Sequence, residues 1–163
     1  MRLHFWKMHG IGNDYIYFDC FDFFPDDPAS IAKKLSDRHF SVGGDGVVFI
    51  CRSEKADGRM RMFNADGSEG AMCGNAIRCV GKWLYEVKGI RKSTLLVETQ
   101  SGVKTLFIAA EDGKVRSVRV DMGAAELRPA HIPARFAGER AVDVPLTVNG
   151  QTYAVTCVSM GNP

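Results

Sequence analysis

The chain has 163 residues, a formal charge of +2, 45% hydrophobic side chains and five cysteines. That length suffices for one good core, or for one domain and part of another, and the composition is that of a globular protein. The small charge and the dispersed basic residues argue against nucleic-acid binding, so the expected partner is a small molecule.

Cys20, Cys51, Cys73, Cys79 and Cys157 are an odd number at no metal-ligand spacing, which indicates neither a disulfide framework nor a zinc site. The opening MRLHFWKMHG has no long apolar core of the signal-peptide kind, and no segment approaches a membrane span. The expectation is a cytoplasmic protein without membrane contact.

A strand is expected from Leu3 to Met8, followed by a loop over His9 to Asp14. Two glycines, Gly10 and Gly12, let that loop approach a ligand closely, and Asn13 adds an amide that both donates and accepts. Alternatively, Asn13 only orders its own turn. Gly10-Ile11-Gly12 is no dinucleotide fingerprint, because the third glycine and the strand–helix context are missing.

A second strand is expected over Tyr15 to Cys20, then a short amphipathic helix from Ala29 to Asp37. His39 follows it and reads as a structural hydrogen-bonder rather than a general base. Gly43-Gly44-Asp45-Gly46 implies a sharply bent or ligand-proximal backbone. Val47 to Cys51 and Arg59 to Asn64 read as paired strands, with Asn64 at the strand end.

From Cys73 the apolar positions Ile77, Val80, Leu84 and Val87 recur at helical spacing, and the helix stops near Gly89. Cys73 therefore falls at the first turn. Unpaired N–H groups and the positive end of the dipole there favour a negative charge, either a thiolate or a carboxylate held by the amides of Gly74 and Asn75. The alternative is that Cys73 is a small buried apolar residue, as most free cysteines are. Cys79, about 240° further round the helix, faces elsewhere and reads as packing.

Three strands follow, Thr94 to Thr99, Val103 to Ala109 and Val115 to Asp121, joined by hairpin turns. The pattern then loosens around Pro129 and Pro133. Two more strands are expected, Ala141 to Val148 and Tyr153 to Ser159, around the turn Asn149-Gly150. The economical architecture is α+β: an antiparallel β meander or barrel wrapped around one long central helix. Residues 1–120 form the cysteine-bearing domain, and 121–163 begin a second.

Four stretches carry a resemblance: Lys7 to Tyr15 (KMHGIGNDY), Asp37 to Gly46 (DRHFSVGGDG), Phe63 to Cys79 (FNADGSE, then CGNAIRC) and Val158 to Pro163 (VSMGNP). In this order and spread over nearly the whole chain, they resemble the diaminopimelate epimerases, cofactor-independent amino-acid epimerases. The resemblance implies Cys73 as one of two catalytic cysteines, Gly74 and Asn75 as carboxylate binders, and Asn13, Asn64 and Asn162 as contacts for the diaminopimelate substrate. It implies neither pyridoxal phosphate nor a metal, and association as a homodimer. Where some members place a substrate-touching Gln, this chain has Gly46, so any contact there would be through backbone.

Family members also run on beyond the position of Pro163, with a second, pseudo-symmetric domain that carries the other cysteine. Two readings therefore compete with an active epimerase: a fragment that folds or binds ligand without turnover, and a related proline-racemase-like isomerase. Proline racemases usually carry a histidine where Asn75 stands, and phenazine-biosynthesis isomerases lack the cysteine, so both fit less well. A thiol redox protein is disfavoured by the absence of any Cys-x-x-Cys pair.

Overall fold

The structure is a computed structural model and describes residues 4–161. By internal contacts the chain divides into two compact units, Met1–Asp121 and Met122–Pro163.

The first unit is built on one mixed sheet. Its strands are β1 (Trp6–Gly10), β2 (Asn13–Cys20), β3 (Gly46–Cys51), β4 (Gly58–Asn64), the two-residue β5 (Glu69–Gly70), β6 (Thr94–Thr99), β7 (Gly102–Glu111) and β8 (Lys114–Val120). They pair in the order β1-β2-β3-β4-β6-β7-β8, with β5 added on β4. An all-antiparallel meander was the expectation; the pairings β2·β3 and β4·β6 are instead parallel. The reason is connectivity. Helix α1 (Pro28–Ser36) lies between β2 and β3, and α2 (Gly74–Glu86) between β4 and β6, so in each case the chain crosses over and re-enters the sheet in the same direction.

The two helices take opposite faces. Ile16, Phe18 and Cys20 of β2, Val47, Phe49 and Cys51 of β3 and Phe63 of β4 form one cluster with Ala32 and the apolar side of α1. The alternate residues of the same strands, Tyr15, Tyr17, Val48, Ile50, Met60 and Met62, are equally buried. That is why Gly46–Cys51 reads as an unbroken apolar run: β3 is covered on both sides. On the second face α2 buries Ile77, Val80, Trp83 and Leu84. It reaches both edge strands, β1 and β8, so the sheet curls toward it. At 13 residues, about 20 Å, α2 has an ordinary helix length rather than the long one expected.

Most element bounds agree with the sequence reading to within a few residues. The start of the first strand at Leu3 lies outside the described residues. The supposed loop over His9 to Asp14 is a tight hairpin, with His9 and Gly10 in β1, Asn13 and Asp14 in β2, and only Ile11-Gly12 as the turn. Both turn residues have positive φ (55° and 81°), the type I′ geometry that matches strand twist.

In the second unit, β9 (Val144–Val148) and β10 (Gln151–Val155) form a hairpin around Asn149-Gly150, shorter than the strands expected from Ala141 and to Ser159. A single turn of 3-10 helix covers Pro129–His131, and Glu126 bridges Ser159. Among the described residues no helix is long and apolar enough to cross a membrane.

Candidate active site

Cys73 is the N-cap of α2. Its backbone is extended (φ −138°, ψ 115°), and its Sγ accepts a hydrogen bond from the Ala76 N–H at 3.4 Å. First-turn N–H groups have no partner within the helix. With that of Ala76 taken by sulfur, those of Gly74 and Asn75 point out of the positive end of the dipole, where an anion is favoured.

The β1–β2 hairpin brings the next groups. Gly10 is required for its approach, since a Cβ there would stand 2.8 Å from the backbone oxygen of Asn75. Asn13 Oδ1 accepts from Cys73 Sγ at 3.5 Å and from Asn75 Nδ2 at 3.4 Å. Tyr15 lies two residues along β2, on the same face as Asn13, and its phenol stands beside Cys73 and Asn13. Burial, reinforced by the neighbouring sulfur, pushes the phenol up to about 12, so it stays protonated at neutral pH and serves as a donor.

Charged groups hold the hairpin from behind. Asp45 Oδ2 accepts from Asn13 Nδ2 at 2.6 Å and from the Asp14 N–H at 3.0 Å. Arg38 bridges the two carboxylates, 2.6 Å from Asp14 Oδ1 and 2.8 Å from Asp45 Oδ1, and Lys7 stands 2.7 Å from Asp14. The Arg38 guanidinium, helped by Lys7, holds the Asp14 carboxyl well below the usual carboxylate range, against a partial opposing effect of burial.

Cys73, Gly74, Asn75 and Asn13 are thus brought together. Asn64 ends β4 at the same end of the sheet, paired in register with Gly46, but its side chain donates to Ser68 Oγ at 2.9 Å and orders the β4–β5 turn. Asn162 lies outside the described residues. His39 is exposed, and its backbone N–H caps against Asp37 at 2.8 Å. At Gly46 a Cβ would run into the backbone oxygen of Phe63, so this backbone has no room for a side chain at that position.

Sequence reasoning passes over Tyr15, Asp45 and Arg78, whose guanidinium donates to Asn75 Oδ1 at 2.6 Å. Period-two alternation counted from Asn13 would have found Tyr15, and three-residue helical spacing from Asn75 would have found Arg78. Asp45 had no such local signal. A cavity of about 460 Å³ lined by Trp6, Phe18, Cys20, Phe23, Ile31 and Phe49 lies on the α1 side of the sheet and takes in none of the Cys73 cluster. Among the described residues no group of three or more His, Cys, Asp and Glu side chains could hold a metal ion.

The diaminopimelate epimerase family model matches residues 5–128. The chain belongs to the diaminopimelate epimerase family. It is 51% identical over 161 residues to the diaminopimelate epimerase of Acetivibrio thermocellus, covering 99% of this chain and 58% of that protein. To the diaminopimelate epimerase of Desulfovibrio desulfuricans it is 53% identical over 170 residues, covering 100% and 59%. The chain therefore spans less than two thirds of the length of these family members. In fold it is similar to a hydroxyproline epimerase from Agrobacterium vitis solved with trans-4-hydroxy-L-proline, with TM-score 0.58 and 16% identity over 89% of this chain and 45% of that one. Proline-racemase-like proteins thus share the curled α+β architecture of this member of the epimerase family.

Proposed function

We propose that the chain is the Cys73-bearing part of a cofactor-independent epimerase that interconverts LL- and meso-2,6-diaminopimelate. The observation that carries this reading is the N-cap thiol of Cys73 with the outward amides of Gly74 and Asn75 beside it and the donor Tyr15 behind it. Epimerisation removes the Cα proton from one face and returns a proton to the other. A thiolate on one side takes the proton and becomes a thiol, while a thiol on the other side gives one up and becomes a thiolate. Family membership supports a second cysteine outside these 163 residues as that partner.

The Cα proton is weakly acidic, and the developing carbanion needs electrostatic help. Amides aimed at the α-carboxylate supply it, since donors already pointed at transition-state charge are often the largest catalytic contribution. In this reading Gly74 and Asn75 hold the α-carboxylate, and Asn13, Asn64 and Asn162 recognise the rest of the substrate. The chemistry asks for neither pyridoxal phosphate nor a metal. A homodimer in the cytoplasm, acting in lysine and peptidoglycan-precursor synthesis, completes the proposal.

The share of the relatives' length that the chain covers favours a second reading, binding without turnover. Proton NMR of diaminopimelate in D2O with the reduced chain and its Cys73→Ala variant separates the two. Loss of the α-proton signal only with the intact thiol supports deprotonation by Cys73. Saturable binding without exchange supports the non-catalytic reading, and neither binding nor exchange removes diaminopimelate as the ligand of this chain.

A further inference from the structure

The orientation of the amide facing Cys73 is fixed by chemistry at its far end. A carboxylate only accepts hydrogen bonds and a guanidinium only donates them. Asp45 Oδ2, 2.6 Å from the Asn13 amide, must therefore face its Nδ2. The Arg78 guanidinium, 2.6 Å from the Asn75 amide, must face its Oδ1, which turns the Asn75 Nδ2 toward Asn13. From both directions Asn13 is left with Oδ1, its accepting end, toward Cys73 Sγ at 3.5 Å.

We infer that Asp45 is a positioning residue for Cys73: by pinning the Asn13 amide it presents a hydrogen-bond acceptor, rather than a donor, to the sulfur in the unliganded chain. As a contribution to catalysis, this rests on the reading of Cys73 as acid and base. The sulfur sits between opposed influences. Asn13 Oδ1 stabilises the S–H, while the Ala76 N–H and the Tyr15 phenol stabilise the thiolate. Behind them, Tyr17 of β2 and Cys79 of α2 are buried and held neutral by burial, and Arg78 is engaged with Asn75. Released from Asp45, the Asn13 amide is held only by the longer contact from Asn75 Nδ2 at 3.4 Å, and it can turn its own Nδ2 to the sulfur and stabilise the thiolate instead.

The test is the rate of Cys73 alkylation by iodoacetamide at pH 7.5, read peptide by peptide, with buried Cys79 as internal reference. Asp45→Ala withdraws the pin, and alkylation is expected to rise roughly threefold to tenfold, the range of one exchanged hydrogen bond. Asp45→Asn removes the charge but keeps an oxygen for Asn13 Nδ2 and the Asp14 N–H, so its rate should stay within about twofold of the unmodified chain. Equal acceleration in both variants would mean that the carboxylate acts through its field and would overturn the inference. So would a parallel rise at Cys79, which reports a loosened fold. Should Asp45→Ala fail to fold, Asp45→Ser retains a short acceptor near the Asp14 N–H but none within reach of Asn13. The same acceleration is expected there, and an unchanged rate overturns the inference. Alkylation needs no diaminopimelate, so rates as expected without α-proton exchange would keep the positioning role and remove only the epimerase reading of this chain.

Discussion

Cys73 and Cys79 stand six positions apart on one helix, and their surroundings share almost nothing. Cys79 is 7% exposed and lies beside the Tyr17 hydroxyl, and burial pushes its thiol up. Cys73 is half-buried, caps the helix and has the Asn13 amide and the Ala76 N–H at its sulfur. Cys20 and Cys51, paired in register on β2 and β3, repeat the Cys79 case: burial raises them to about 12 and about 11. The residue type is constant, so the helix end and its access to water decide which sulfur can do chemistry.

The largest expected effect makes that comparison absolute. Under native conditions at pH 7.5, iodoacetamide should modify Cys73 on the order of a hundredfold faster than Cys79, Cys20 or Cys51. Modification of the buried three should follow local opening of the fold. Comparable rates at Cys73 and Cys79 would dissolve the distinction.

A smaller effect sharpens it by exchanging the two tyrosines that face these sulfurs. Tyr15→Phe removes a donor to the Cys73 thiolate and should slow its alkylation roughly threefold to tenfold. Tyr17→Phe should leave the rate unchanged and cost little stability, because the buried Tyr17 hydroxyl has no oxygen or nitrogen partner and only the weakly accepting Cys79 sulfur beside it. Slowing by both variants alike would point to general packing behind α2 instead.

The groups that hold Asn13 against Cys73 are also open to acid. The Arg38 guanidinium, with Lys7, depresses the Asp14 carboxyl in the folded chain. A depressed folded value contributes stability above the unfolded carboxylate value of about 4, and that contribution is lost as pH falls through the folded value. Urea midpoints should therefore drop from pH 4 toward pH 2 more steeply in the unmodified chain than in Arg38→Met. Parallel curves would show that the ion pairs at this partly exposed site contribute nothing measurable.

Much of this was legible in the sequence where the signal is local. The helical spacing of Ile77, Val80 and Leu84 places α2, and the same count puts Cys73 at its start and turns Cys79 away from it. Strand direction was not legible: hairpin turns announce antiparallel neighbours, whereas the parallel pairs β2·β3 and β4·β6 form across intervening helices. The support of the site was hidden for a related reason. Asp45 meets Asn13 across 32 positions and Cys73 meets Asn13 across 60, and no residue pattern marks either contact. Asn64 shows the converse limit, since its position at a strand end is readable while its bond to Ser68 is not.

The hairpin that carries Asn13 also misled, because its turn breaks the usual residue rule. Type I′ turns favour Asn-Gly, which is what the second unit uses at Asn149-Gly150, with φ of 51° and 81°. The first unit has Ile11-Gly12 at nearly the same angles, and a β-branched residue at φ 55° is strained. The Ile11 side chain is 89% exposed, so packing does not repay that strain within the chain. Ile11→Asn should accordingly stabilise the chain by about 1 kcal/mol in urea unfolding, the smallest of these effects. Cys73 alkylation should stay within about twofold, because Asp45 rather than the turn orients Asn13. A loss of stability would show that Ile11 is supported by contacts its exposure denies. A large change in alkylation would make the strained turn itself part of what aims Asn13 at the sulfur.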